Sequence, residues 1–153
     1  MAVVVGFTGS VFAGEEKEET ISMDKVPSKV KDTLKQYASD SEVKKIEKGH
    51  EHGKKVYEFE IEQGTRKFEV AISHKGKFMG TEEDMDLSAM PAAAQKAITN
   101  QAAGGKISGG EKAVDNNNKV SYEADIEKNG KKIELVVDSA GKVISTDMDQ
   151  DKD

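Results

Sequence analysis

Two stretches of alternating residues, each folded back on a two-residue turn signal, constrain this chain more than any other feature in it. Val56 to Ile72 reads VYEFEIEQGTRKFEVAI, and Val120 to Val137 reads VSYEADIEKNGKKIELVV. In the first, Tyr57, Phe59 and Ile61 fall on one face of a period-2 strand, with Glu58, Glu60 and Glu62 on the other. The return strand puts Phe68, Val70 and Ile72 on the apolar face and Lys67, Glu69 and Ala71 on the polar one. Setting Ile61 opposite Phe68 leaves Gly64-Thr65 as the loop, a Gly-X pair suited to a type II′ turn. Setting Ile126 opposite Ile133 leaves Asn129-Gly130, the strongest type I′ signal. Different turn chemistry gives one register, so the sequence predicts two antiparallel hairpins of the same design.

The flanking segments repeat as well. In MDKVPSKVKDTLKQYASD, Pro27 suits a first helical turn, and Val30, Leu34, Tyr37 and Ala38 form one narrow apolar stripe. MPAAAQKAITNQAAGGK aligns with it through Pro91, Ala94, Ile98 and Ala102, with Ser88 as N-cap and Gly104-Gly105 as the stop. Strands are expected at 42–48, with a bulge where Val43 and Ile46 break alternation, at 77–83, at 106–114, and in GKVISTDMD at the end. The reading is an internal repeat of helix plus four strands, 23–86 and then 87–149. A unit of about 65 residues hides only roughly 60% of its unfolded surface and is marginal alone. The expected fold is therefore α+β: two tandem repeats forming one antiparallel sheet, helices packed on one face, the other face open to solvent.

The first thirteen residues, MAVVVGFTGSVFA, are uncharged and mostly apolar and end in a small-x-small pattern before EEKEE. Residues 1–13 read as the apolar core and cleavage site of a signal peptide, too short to span a bilayer. Nothing basic precedes them, so the recorded start is expected to lie downstream of the true one. The alternative is a buried N-terminal strand. Segment 14–22 is acidic and aperiodic and reads as disordered, and 150–153 as an acidic tail. The net charge is −6, with no cysteine and no tryptophan. Acidity argues against nucleic acid or an anionic membrane as partner, and the lack of cysteine removes disulfide and thiolate chemistry.

Taken together, the helix openings Val26-Pro27 and Met90-Pro91, the Tyr-Glu-x-x-Ile-Glu strands Tyr57–Glu62 and Tyr122–Glu127, and the Gly-Lys turns at 76–77 and 141–142 resemble the PepSY-like domain family. That family is related to the PepSY modules of exported bacterial proteins and to the beta-lactamase inhibitor protein BLIP. The resemblance covers about Ile21 to Asp149. It implies tandem helix-plus-sheet repeats, export, and a non-catalytic role in binding or restraining proteins. The inhibitor protein carries disulfides and grips its target with aromatics, whereas this chain has no cysteine and a Glu/Lys outer face.

The hairpin registers set Glu62 against Lys67 and Glu127 against Lys132, but also Glu60 against Glu69 and Asp125 against Glu134. Like charges directly opposed destabilise a sheet, by roughly 0.2–1 kcal/mol. The residues expected to bind a partner are thus Glu58, Glu60, Glu62, Glu69, Glu123, Asp125, Glu127 and Glu134, facing a basic protein surface or a cation. The plainer alternative is a solvated face relieved by diagonal lysines. His50 and His52 form an H-x-H that zinc or copper could use, but glycines bracket them and turn chemistry at a loop tip is simpler. Carboxylates at 147, 149 and 151 open like an EF-hand loop that lacks its Gly and closing Glu. No P-loop, G-x-S-x-G or H-E-x-x-H occurs, and no cofactor is implied. The expectation is an exported, non-enzymatic, monomeric module that engages a protein. Its alternative is a low-affinity divalent-cation protein using the acidic face or tail.

Overall fold

The computed structural model describes residues 19–51 and 53–148. The expected leader at 1–13, most of the expected disordered segment 14–22, the expected acidic tail 150–153 and His52 lie outside the described residues. Those described are α+β and mostly sheet. They comprise β1 (Glu19–Thr20), α1 (Ser28–Leu34), β2 (Val43–Glu51), β3 (Lys54–Gln63), β4 (Arg66–Ser73), β5 (Phe78–Asp84), α2 (Ala92–Ala102), β6 (Lys106–Asp115), β7 (Val120–Lys128), β8 (Lys131–Asp138) and β9 (Val143–Met148). The chain divides into two compact units, Met1–Glu83 with Asp115–Asn117, and Asp84–Val114 with Asn118–Asp153.

In the first unit, β1 to β5 pair antiparallel in chain order. Ile61 lies opposite Phe68 and Gln63 opposite Arg66, leaving Gly64-Thr65 as the turn. Gly64 has φ +63° and Thr65 a negative φ, the signs a II′ turn requires. The apolar face is a closed core: Tyr57, Phe59, Ile61, Phe68, Val70 and Ile72 are buried under Val30, Leu34 and Ala38 of α1 and the turn after it. Each such side chain is worth about 1.5–3 kcal/mol of burial. The broken alternation in β2 is absorbed by a register shift between Val43 and Lys45, which brings Val43 opposite Ile61 and Ile46 opposite Phe59. Both reach the core face as a result. Tyr37 closes the edge, stacked on Phe78 of β5 with ring centroids 4.8 Å apart.

The second unit repeats these devices with other residues. Its strands β6 to β9 pair antiparallel in chain order, with Ile126 opposite Ile133 and Lys128 opposite Lys131. Asn129 and Gly130 both have positive φ, +54° and +76°, as type I′ demands. Ala94, Ile98 and Ala102 of α2 cover Tyr122, Ala124, Ile126, Leu135 and Val137. Where the first unit stacks Tyr37 on Phe78, the aligned residues here are Gln101 and Val143. That edge stays uncovered: Val143, Ile144 and Met148 of β9 are 38%, 46% and 54% exposed.

Each helix meets the last turn of its unit through a glycine. A Cβ on Gly76 (φ +83°) would lie 2.7 Å from the Lys29 carbonyl oxygen, and one on Gly141 (φ +80°) would strike the Ala93 carbonyl oxygen. The Thr33 hydroxyl adds a 2.6 Å hydrogen bond to the Gly76 carbonyl.

Four expectations need correction. Pro27 and Pro91 are not in the first helical turn but are N-caps with extended ψ of 147° and 142°. A 3-10 turn precedes each, and Ser88 belongs to the second one, Leu87–Ala89, rather than capping α2. Proline lacks the N–H that a helix interior uses, so it ends the extended approach instead. Second, α2 turns left-handed one residue early, at Ala103 (φ 41°), before Gly104. Third, β2 runs on to Glu51, so His50 is a strand residue opposite Lys55 and not part of a loop tip. Fourth, the face turned away from the helices is not uniformly open. Val56 and Ala71 are buried on it, as are Glu82, Glu111 and Glu123. Ala71 is overshadowed by the longer side chain of Glu58 opposite it, about 5 Å away, and these glutamates make polar or electrostatic interactions of their own.

Candidate functional site

The polar face takes its chemistry from strand register. In the first unit, Lys45, Glu60, Glu69 and Glu82 stand in one cross-strand row over β2, β3, β4 and β5. Glu47 lies opposite Glu58 in the neighbouring row. Three carboxylates in a row repel, and the lysine at its end is the internal counter-charge. The Lys45 ammonium lies 2.9 Å from Glu47 and 3.4 Å from Glu60. Its pKa is raised above the ordinary 10.5, first by the hydrogen bond to Glu47 and then by the charges of Glu47 and Glu60. Nearer the turn Glu62 pairs with Lys67 at 2.9 Å, which lowers the Glu62 pKa.

In the second unit the equivalent row runs Gly109, Asp125, Glu134, Asp147. Glycine stands where the lysine stood. A Cβ on Gly109 would sit 3.1 Å from the Asp125 carboxylate, so the missing side chain leaves that oxygen its room. Glu123, two residues before Asp125 on the same strand face, is opposite Glu111. Carboxylate oxygens of Glu123, Asp125 and Glu134 all lie within 4.8 Å of one another. The lysines of this face gather at the turn end, where Lys106 and Lys132 flank Glu127. By composition the face is therefore graded: lysine and glutamate mixed near the hairpin turn, carboxylate-rich from Asp125 onward.

Of the residues nominated from sequence, Glu58, Glu60, Glu62 and Glu69 share one face of the first unit and are half-buried. Glu123, Asp125, Glu127 and Glu134 share the matching face of the second. Glu123 is buried, Asp125 and Glu134 are half-buried, and Glu127 is exposed. The structure brings Glu123, Asp125 and Glu134 together and sets Glu127 apart with its lysines. Sequence reasoning missed Glu47, Glu82, Glu111 and Asp147, which complete the rows. Asp147 is legible as a strand residue, but its sequence context stands out only for the 147, 149, 151 carboxylate spacing. Glu111 was hidden by the register shift between Ile107 and Gly109, which decides what it faces. His50 and His74 flank Lys55 from opposite sides: His50 opposes it from β2, and the His74 backbone N–H donates to its carbonyl at 2.9 Å, while His74 Nδ1 lies 3.3 Å from the Tyr57 hydroxyl.

A family model described as "Putative beta-lactamase-inhibitor-like, PepSY-like" matches the chain twice, over residues 13–80 and 65–145. No curated protein matches the chain in sequence. Several solved structures share its fold. A protein of the DUF2874 family from Bacteroides ovatus aligns with TM-score 0.66 and 14% identity, covering 82% of this chain and 91% of its own. A BLIP-like protein from Bacteroides fragilis aligns with TM-score 0.65 and 16% identity, covering 83% of this chain and 89% of its own. A protein from Bacteroides eggerthii described as "putative periplasmic" gives TM-score 0.65 at 15% identity, over 80% of this chain and 88% of its own. Among the described residues no helix is long and apolar enough to cross a membrane.

Proposed function

The chain belongs to the PepSY-like, beta-lactamase-inhibitor-like family, and from that premise we propose that it is an exported, non-catalytic binding module built of two tandem repeats. It works in the periplasm or outside the cell and engages a protein partner with a basic surface through the acidic strand face turned away from its helices. One observation carries the reading. The row Gly109, Asp125, Glu134, Asp147 contains no lysine or arginine, while the corresponding row of the first unit begins with Lys45. A face that keeps directly opposed carboxylates gives up stability that an external cationic surface restores on binding. The periplasmic description of one structural neighbour and the signal-like residues 1–13 support export.

The test is capture from a periplasmic extract with the unaltered chain and with an Asp125→Asn, Glu134→Gln double variant. A basic protein retained by the first, lost on the second and eluted by salt is the expected result. Equal retention by both removes the face from the function. The three carboxylates within 4.8 Å also motivate a second reading, a weak divalent-cation site. Calorimetry against calcium and zinc separates the two, since a cation that binds the unaltered chain and not the double variant favours that reading.

A further inference from the structure

The strand β9 differs from every other edge described above. It ends the strand order, so among the described residues no strand pairs with its outer side. Edge strands of soluble proteins are commonly blunted by lysine, proline or a covering segment. The first unit follows that rule, because β2 carries Lys44, Lys45 and Lys48 and is partly covered by β1. VISTDM, by contrast, contains neither lysine nor proline, and its Ile144 and Met148 are 46% and 54% exposed.

Register shows what fits there. Thr146 lies opposite Leu135 and Met148 opposite Ile133, so residues 146 and 148 share the helix-side face while Ser145 and Asp147 share the polar face; Ile144, the extra residue of the register shift between Val136 and Val137, has no partner in β8 and is half exposed beside them. A second β9 joining antiparallel, with both polar faces on one side, must pair residues of like face. Three central registers are near enough to compare. Centring on Ser145 sets Asp147 against Val143, and centring on Asp147 sets that carboxylate against its own copy. Centring on Thr146 does neither. It faces Thr146 with Thr146, Ile144 with Met148 twice over, and Asp147 with Ser145. Charge thus rejects one register, and the apolar pairs select another.

We propose that β9 is a homodimerisation edge, joined antiparallel to β9 of a second copy of this chain about a two-fold axis at Thr146. The pairing is isologous, so the same contacts occur twice and the assembly closes at two copies. One strand edge falls in the smallest class of protein interfaces, under about 1,200 Å² in total. The dimer is therefore concentration-dependent, and the monomer expected from sequence is its dilute limit.

The chain has no cysteine, so a single introduced one reports only on contacts between copies. Under air oxidation Thr146→Cys is expected to form a disulfide dimer, since facing residues across an antiparallel pair lie about 4.5–5.5 Å apart, within disulfide reach. Ser145→Cys, which faces Asp147 of the second copy, is expected to stay largely monomeric. Sedimentation velocity of the unaltered full chain, which needs no variant to fold, is expected to shift from monomer towards dimer with concentration. Thr146→Lys, with unchanged far-UV circular dichroism, should abolish the shift. A chain that stays monomeric at every concentration, cross-linking equal at 145 and 146, or a dimer indifferent to Thr146→Lys each overturns the proposal. Association with a different protein in place of self-association overturns it too.

Discussion

Gly76 and Gly141 show how much a single missing methyl group decides. Both take positive φ, and both abut a helix carbonyl that any Cβ would strike. Gly64 also has positive φ, but a Cβ there would meet nothing within 4 Å. Gly64→Ala is therefore expected to cost only backbone strain, about 1 kcal/mol, and Gly76→Ala or Gly141→Ala about 2–4 kcal/mol. Urea midpoints for the three variants, with equal slopes, check the order. A second prediction concerns the acidic row. Asp125→Asn removes the charge opposed to Glu134 and is expected to raise stability by about 0.2–1 kcal/mol at low salt, and by less at high salt, where screening already weakens the repulsion. Destabilisation at both salt concentrations would show that Asp125 is held by a favourable contact instead.

At the scale of elements, the two units solve one packing problem with different success. Tyr37 stacked on Phe78 seals the edge of the first helix–sheet contact, and Gln101 with Val143 leaves the second unsealed. Phe78→Ala is expected to cost about 2 kcal/mol and Val143→Ala less than about 1 kcal/mol, read from chemical denaturation. The hairpins were legible in the sequence because two independent signals, alternation and turn chemistry, agreed at 64–65 and at 129–130. The helix starts were harder. A proline preceded by an apolar residue is compatible with either N-cap or first turn, and only the 3-10 turns before Pro27 and Pro91 settle which. The acidic site was half legible. Pairings across one hairpin, such as Glu60 with Glu69, follow from a local turn. Those reaching β5, β6 and β9 depend on bulges that one-dimensional patterning does not place. The burial of Glu82 and Glu111 was invisible for the same reason.

Across the whole chain the carboxylates set the response to acid. Glu42 is held below its ordinary 4.5 by the Ser39 backbone N–H at 2.7 Å and the Ser39 hydroxyl at 2.9 Å. The hydrogen bond and charge of Lys67 lower Glu62, those of Lys48 lower Glu19, and the Ser22 hydroxyl lowers Asp24. A folded pKa below the unfolded one means the unfolded chain binds more protons in acid. The stabilisation is then complete above the unfolded value and is lost as pH falls through the folded one. The melting temperature is expected to hold through neutral pH and to fall below the ordinary glutamate value of 4.5, with a shallower fall in Glu42→Gln. Lys45 and Lys48 carry the opposite sign, their raised values giving stability that is lost only as pH climbs past 10.5.

The seam between each helix and its closing turn is mainly main chain against main chain, joined in the first unit by the Thr33 hydroxyl on the Gly76 carbonyl, so it asks little else of side-chain identity. Every apolar residue around Gly76 and Gly141 can be exchanged for another of similar bulk, and the two segments still dock in the same pose so long as nothing larger than a hydrogen stands at those two positions.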